Sequence, residues 1–567
     1  MPYRAPLNDC RFILIHVAGF ADVAATERFA AATPDLVNAV LGEAARISGD
    51  VLAPLNRISD KVGARLENGV VVSPPGFDAG YRAMAEGGWI GISADPAFGG
   101  MGLPMALSAA VDDMMAGGCI ALQVKPLLTK GQIEALEHHA SDDLKALYLP
   151  KLISGEWSGT MNLTEPQAGS DVGALRTRAE PLGDGTYAVT GQKIYISWGD
   201  SDLVTNVCHL VLARLPDAPD GTRGISLFMV PKFLPDAAGQ PGERNGVRVV
   251  SIEHKLGLHG SPTCVMQFDC AKGWLVGKPN RGMAAMFTMM NNARLGVAVQ
   301  GVGVAEAALQ HALAYALDRR QGETPVPGPG AIIDHADVRR MLASMRAEVF
   351  AARAIALSCA VATDMAVATG RAEWAARAAL LTPIAKAYGT DVGTAVAHQG
   401  VQVFGGMGFI EDTGAAQFLR DVRITAIYEG TNGIQAMDLV GRKMADGGEA
   451  AFRMIDEIQQ GAEVARGALP DLAGDVWAAA ETLRDATERL VAQALNDRFA
   501  GAVPYLRAFA RVLGGHMHLK AALVEPARLP LARVMIRRLL PEHEALLAEA
   551  REGAAGLYAV SAGDLAA

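Results

Sequence analysis

The chain reads as a mainly α protein with a central β domain. Three observations predict this. Apolar residues recur at every third and fourth position from about 35 to 66, and helices resume over 105–149. Between about 156 and 274 the texture changes to short runs such as Tyr187-Ala188-Val189-Thr190 and Ile225-Ser226-Leu227-Phe228-Met229-Val230, bounded by Gly, Pro and Asp. From Gly282 onward the chain is Ala-rich and helical again, and 294–319 contains no proline.

The boundaries follow from local chemistry. Pro2 and Pro6 hold their neighbours in extended forms, so no helix starts at the N-terminus. Pro74-Pro75-Gly76 and Gly99-Gly100-Met101-Gly102-Leu103-Pro104 break the first helical block, and Pro150 is expected to end it. Thr324-Pro325-Val326-Pro327-Gly328-Pro329-Gly330 separates two later helices. Ala445-Asp446-Gly447-Gly448 reads as a linker before a last helical block that runs to about Tyr558. The expected domains are an N-terminal extension 1–34, a helical domain 35–155, a β domain 156–281, a helical domain 282–444 and an extra helical domain 449–567.

With 567 residues, half of them hydrophobic and a fifth charged, the chain has an ordinary globular composition. A net charge of -10 argues against broad nucleic-acid binding. The six cysteines form no Cys-x-x-Cys pair and no zinc spacing, which points to free thiols in a reducing cytoplasm. No signal or transit peptide is read at the N-terminus, and no uninterrupted apolar run approaches a membrane span.

Several segments carry candidate chemistry. Ile427-Tyr428-Glu429-Gly430-Thr431-Asn432-Gly433-Ile434-Gln435 sets one carboxylate beside a glycine and small polar residues, where backbone can approach a ligand. Met161-Asn162-Leu163-Thr164-Glu165-Pro166-Gln167-Ala168-Gly169-Ser170-Asp171 offers the hydroxyls of Thr164 and Ser170. Its plain alternative is a polar turn. Lys193-Ile194-Tyr195-Ile196-Ser197-Trp198-Gly199 spaces Tyr195 and Ser197 for one strand face, suited to stack on a ring and bond its edge. A cross-strand aromatic in a β core is the commoner arrangement. Gln402-Val403-Phe404-Gly405-Gly406-Met407-Gly408-Phe409 clusters glycines between helices but lacks the ending of a P-loop. Arg319 stands at a helix end. His138-His139 diverge in direction and read as surface, Trp89 as a core anchor, and Met101, Met105, Met114 and Met115 as core or a plastic apolar lining.

In this order, these segments resemble the acyl-CoA dehydrogenases. The resemblance implies a β-barrel-like middle domain between helical domains, and an enzyme that forms a trans double bond between Cα and Cβ of an acyl-CoA thioester with FAD. Leu163 and Thr164 would bond the pyrimidine side of the isoalloxazine. Ser170 would lie near the flavin phosphates or CoA, and Tyr195 and Ser197 would flank the ring, Tyr195 standing where relatives usually carry Trp. Arg319 would meet the pyrophosphate, although the usual phenylalanine after it is missing. Gln402, Gly405 and Gly406 would reach the FAD of a neighbouring subunit, which implies a homodimer or homotetramer. Thr431 joins the cofactor contacts, and Arg294, Tyr428 and Gly430 the substrate contacts. Asn291 and Asn292, close to Arg294, are read as helix surface. Some members place the base just before the arginine equivalent to Arg294; here that position is Ala293, so the base falls to Glu429. An electron-transfer flavoprotein would accept the electrons.

The chemistry needs such a residue. Thioester α-protons are weakly acidic, so a base must lie within hydrogen-bond reach and away from water, where a carboxylate becomes more basic. In relatives the Glu backbone N–H and a ribityl hydroxyl polarise the thioester oxygen, one such donor being worth about 3–4 kcal/mol. Both ends of the chain, beyond an ordinary member's limits, resemble a longer bacterial branch. Candidate substrates are 3-methylthiopropanoyl-CoA and other short or medium acyl-CoAs. A second function class comes from the C-terminal block, where 498–538 holds eight basic residues and one acid, Glu525, a local charge of +7. A DNA-associated alkylation-response flavoprotein shares the scaffold and such a basic region. An acyl-CoA oxidase is a third possibility.

Overall fold

The computed structural model describes residues 3–326 and 330–567. The extended reading at Pro2 and the Pro327-Gly328-Pro329 part of the turn-rich loop lie outside the described residues. The chain divides into two compact units, one of Met1–Ala45, Pro104–Gly117 and Val297–Ala567, the other of Arg46–Leu103 and Gly118–Gly296.

The second unit holds a seven-stranded sheet in the order Val247–Ile252, Thr263–Val276, Tyr187–Ser197, Arg178–Pro181, Asn206–Arg214, Trp157–Asn162. The remaining strand, Ile225–Pro231, pairs with both Asn206–Arg214 and Thr263–Val276. Five strands therefore close on themselves as a barrel, with Arg178 opposite Arg214 at the weakest seam. Ile225–Pro231, apolar except for Ser226, is buried along its whole length. Val189, Val211, Phe228, Val230, Met266 and Phe268 fill the interior. Thr263–Val276 pairs with three strands, Val247–Ile252, Tyr187–Ser197 and Ile225–Pro231, and its register against Tyr187–Ser197 shifts between Phe268 and Ala271, where Cys270 takes a φ of 49°.

Two local expectations are corrected in this unit. The helical reading through Leu66 stops at Val62, where Gly63 turns to a φ of 67°. Past Gly63 the chain forms a hairpin, Arg65–Glu67 with Val70–Val72, turned by Asn68 and Gly69 at φ 52° and 77°. Asn-Gly supplies the two left-handed residues that such a turn needs. Pro150 does not end its helix, which runs from Asp142 to Ile153. So close to the C-terminus, the missing N–H and the ring clash disturb a single turn.

The first unit is helical. Ala336–Thr369 and Ala372–Phe404 form a hairpin turned at Gly370, whose φ of 65° ends the first helix. The helix Gly282–Asp318 crosses Ala372–Phe404 at backbone distance. A Cβ on Gly301 would lie 2.5 Å from the Gly389 carbonyl oxygen, so only glycine fits there. Arg353, 1% exposed, bonds Asp113 at 2.6 Å and Glu306 at 3.2 Å, while Arg346 adds a second cation to Glu306 at 3.1 Å. The buried Asp113, Glu306 and Arg353 are thus brought to charge balance by the partly exposed Arg346, which is the condition for burying them. The N-terminal segment packs on the C-terminal block: Asp9 pairs with Arg528 at 3.0 Å, and Lys520 Nζ donates to the Val17 carbonyl at 2.7 Å.

Among the described residues, two helices, Met105–His139 and Ala336–Thr369, are long and apolar enough to cross a membrane. Most of each apolar stretch, 94% and 89%, is buried inside the protein, as in the core helices of many globular folds. Trp89, Met114 and Met115 are buried, whereas Met101 is 43% exposed.

Candidate functional site

In the first unit, a short 3-10 turn, Arg423–Ala426, leads into Ile427, and the helix Asn432–Asp438 starts beyond the turn. Glu429 between them has a φ of 57° and Gly430 one of 86°. A left-handed glutamate costs of order 1–3 kcal/mol and persists only where its surroundings impose it. Here they do. The Gln435 side-chain amide donates to the Glu429 carbonyl at 3.1 Å and the Gly430 carbonyl at 3.3 Å. Lys386 Nζ donates to the same Gly430 carbonyl at 2.9 Å and to Asn432 Oδ1 at 3.0 Å. Asn432 in turn donates to Asp391 at 2.7 Å. Thr431 caps the next helix, accepting from the Ile434 N–H at 3.3 Å. The Tyr428 hydroxyl donates to the buried Gln300, and burial drives its pKa well above the ordinary phenol value.

A Cβ added to Gly430 would lie 2.8 Å from Gln435 Nε2, on a backbone already left-handed. Gly430→Ala is therefore expected to lower stability by about 1–3 kcal/mol. Thermal unfolding beside the parent protein measures it, and an unchanged midpoint would contradict the strain argument.

Gln402, Gly405 and Gly406 lie at the exposed end of Ala372–Phe404 and the turn beyond it, and Arg319 is exposed just past Asp318. Gly405 and Gly406 have no heavy atom within 4 Å of a Cβ position, so packing does not demand glycine there. Phe409 beside them is 88% exposed.

The remaining candidates belong to the second unit. Leu163 and Thr164 come directly after the strand Trp157–Asn162, and Ile194 N–H donates to the Thr164 carbonyl at 2.9 Å. This bond sets the Leu163-Thr164 segment beside the Tyr195–Ser197 segment. Lys193 fastens the two, donating to the Leu163 carbonyl at 3.0 Å and to Glu165 at 2.8 Å, with both charged groups buried. Glu165 also accepts from Thr177 Oγ1 at 2.6 Å and from the Arg176 N–H at 2.7 Å. Burial alone would raise its pKa, but the Lys193 ammonium and these donors hold it at about 2. Tyr195, with a φ of 60° and 62% exposure, sits in a β-bulge where the register shifts opposite Cys264 and Met266. The simple alternation that would put Tyr195 and Ser197 on one face does not run through this bulge. Ser170 is exposed in the loop after Glu165, and Arg294 is buried on Gly282–Asp318, next to Ala293. Nearby Asn292 donates to Glu134 at 2.5 Å.

Sequence reading missed Lys386, Gln435, Gln300, Glu165 and Lys193. Lysine in an otherwise apolar stretch, Ile384-Ala385-Lys386-Ala387-Tyr388, was the one available signal for Lys386. The basic stretch is largely satisfied within its own unit. Arg511 pairs with Glu348 and Glu542, Arg528 with Asp9 and Glu525, Arg507 with Glu542 and Arg537 with Asp475. Arg498 donates to the Gln493 carbonyl at 3.1 Å.

Known proteins place this arrangement. Family models match in chain order: acyl-CoA dehydrogenase N-terminal domain over 67–156, middle domain over 160–271, C-terminal domain over 280–444, and an acetyl-CoA dehydrogenase C-terminal-like model over 454–561. The chain is 46% identical over 521 residues to 3-methylmercaptopropionyl-CoA dehydrogenase of Ruegeria pomeroyi, covering 89% of this chain and 88% of that one. It is 36% identical over 512 residues to a butyryl-CoA dehydrogenase of Syntrophomonas wolfei, covering 85% and 83%. The fold matches that of Caenorhabditis elegans ACDH-11, solved in complex with C11-CoA, with a TM-score of 0.79 at 21% identity, over 95% of this chain and 92% of that one. The helical units, the closed barrel and these full-length likenesses make the chain a member of the acyl-CoA dehydrogenase family, and so an oxidoreductase.

Proposed function

We propose that the protein converts a short or medium acyl-CoA to the trans-2-enoyl-CoA, with Glu429 as the base and FAD as the cofactor. The observation that carries the reading is the clamped left-handed turn at Glu429, a glutamate on strained backbone whose own carbonyl is held by Gln435 and whose neighbour's carbonyl, at Gly430, is held by Gln435 and Lys386. Strain kept in place by buried donors is a mark of a functional position. Glu429 takes the α-proton of the thioester. Tyr428 and Gly430, on either side of it, and Arg294 are the proposed substrate contacts, with Ser170 toward CoA.

The barrel segments suit a flat ring with a polar edge. Leu163 and Thr164 are fastened beside Tyr195 and Ser197, and together they offer backbone groups, two hydroxyls and an exposed aromatic. These residues would hold FAD, with Arg319, Gln402, Gly405, Gly406 and Thr431 as its other candidate contacts. When bound, FAD supplies the acceptor for the β-hydrogen leaving as hydride. The exposed Phe409 beside Gly405 and Gly406 supports a homodimer or homotetramer that covers this segment. Family membership supports an electron-transfer flavoprotein as the acceptor of electrons. Six free cysteines support a reducing, cytoplasmic setting. The internal pairing of the basic stretch favours this reading over the DNA-associated flavoprotein.

The Ruegeria pomeroyi relative makes 3-methylthiopropanoyl-CoA the first substrate to test. Purified holoenzyme is mixed without oxygen with short, branched, aryl and methylthio acyl-CoAs, and bleaching of the flavin is monitored. Rapid bleaching by at least one short or medium thioester, with slow reoxidation in air, is expected. No bleaching by any member of the panel would count against the dehydrogenase reading, and fast reoxidation by air would point to an oxidase.

A further inference from the structure

Lys386 lies in the middle of Ala372–Phe404 and is wholly buried. A buried ammonium is costly unless its donors are satisfied. Two of its hydrogen bonds go to the turn that carries Glu429: the Gly430 carbonyl at 2.9 Å and Asn432 Oδ1 at 3.0 Å. Asn432 is tied back to the same long helix, at the Ala387 carbonyl (3.3 Å) and at Asp391 (2.7 Å). Thr390 joins the set at 3.0 Å. One rigid helix thus grips the residues after Glu429 through a single cation and a single amide.

The pull has a direction. In a trans peptide the C=O and the next N–H point opposite ways. Holding the Glu429 and Gly430 carbonyls inward, toward Gln435 and Lys386, turns the N–H groups of Gly430 and Thr431 the other way. It also fixes the backbone torsions on which the Glu429 side chain depends. Without the grip, the left-handed φ of 57° keeps Gln435 as a restraint but loses the tie to the long helix, and the turn would relax toward commoner torsions. A displacement of about 1 Å at a reacting group costs about 10²-fold in rate.

We infer that Lys386 is the positioning residue for the catalytic base, acting through the Gly430 carbonyl and Asn432 to hold Glu429 in its strained backbone conformation. The inference rests on Glu429 being the base. It assigns Lys386 no contact with substrate or flavin, and that separates it from a binding residue.

The test is Lys386→Met holoenzyme, with Lys386→Arg as the charge-retaining partner. Lys386→Met is expected to keep its flavin and lose about 10²-fold in kcat, with KM within about threefold of the parent. Lys386→Arg is expected to recover much of the loss. In a Glu429→Gln background, adding Lys386→Met should lower the residual rate no further, because the two act as one unit. A kcat of Lys386→Met near the parent value, or an equal additional loss in the Glu429→Gln background, would overturn the inference. Should Lys386→Met not yield folded holoenzyme, Asn432→Ala removes one of the two acceptors through which Lys386 holds the turn and carries the same expectations. The two readings fail separately. Near-native turnover of Glu429→Gln removes the base itself, whereas an inactive Glu429→Gln beside an unaffected Lys386→Met removes only the positioning role.

Discussion

Glu429→Gln should retain bound FAD and lose turnover on the order of 10²- to 10⁴-fold, the range a positioned base contributes. The variant is a clean one because other side chains hold the backbone of the turn. Gln435 and Lys386 hold the backbone carbonyls of 429 and 430, and Thr431 caps the next helix, whichever side chain occupies 429. Glutamine has nearly the same shape but accepts no proton at neutral pH. Steady-state rates on the best substrate, with flavin absorbance as the control for folding, measure the loss. Turnover near the parent value would remove Glu429 from the chemistry.

Lys193→Met is expected to have the largest effect on stability. Lys193 and Glu165 are both buried and 2.8 Å apart. Removing the cation leaves a carboxylate without its counter-charge, a change that typically costs about 3–5 kcal/mol. The pH dependence has a definite sign. Glu165 is held at about 2 in the folded protein against 4.5 ordinarily, so its contribution is present above about 4.5 and is lost as pH falls toward 2. Without Lys193 that acid-side loss should flatten. Denaturant unfolding at neutral pH and again at acid pH, below about 4.5 and toward 2, measures both effects. Because Lys193 also bonds the Leu163 carbonyl, the variant should release FAD more readily. Unchanged stability together with unchanged flavin retention would show the pair to be dispensable.

The sequence was most legible where one residue type enforces one local conformation. Helical periodicity, the change of texture near 156 and the glycine-flanked glutamate were visible because short-range patterns carry them. Pro150 misled because its cost depends on where in the helix it falls, and it falls in the last turns. Asn68-Gly69 was legible in principle, but the strands it joins have only three residues each and sit behind a strong helical pattern. The Tyr195 bulge was invisible, since the extra residue is defined only by the strand opposite. Lys193, Lys386 and Gln435 stayed hidden for a related reason. Their roles depend on partners 28, 44 and 6 residues away, and no local pattern records which carbonyl a buried donor meets. The N-terminal and C-terminal segments looked like separate additions, yet Asp9 and Arg528 join them across 519 residues of chain.

The most direct measurement of the central claim is exchange of the substrate's α-hydrogen with deuterated water, read by mass spectrometry on a thioester that has no β-hydrogen to lose. Such a compound isolates the proton step from the redox step. The account predicts that the parent holoenzyme washes deuterium into the α-carbon and that Glu429→Gln holoenzyme does so no faster than buffer alone. Equal exchange by the two proteins would contradict it.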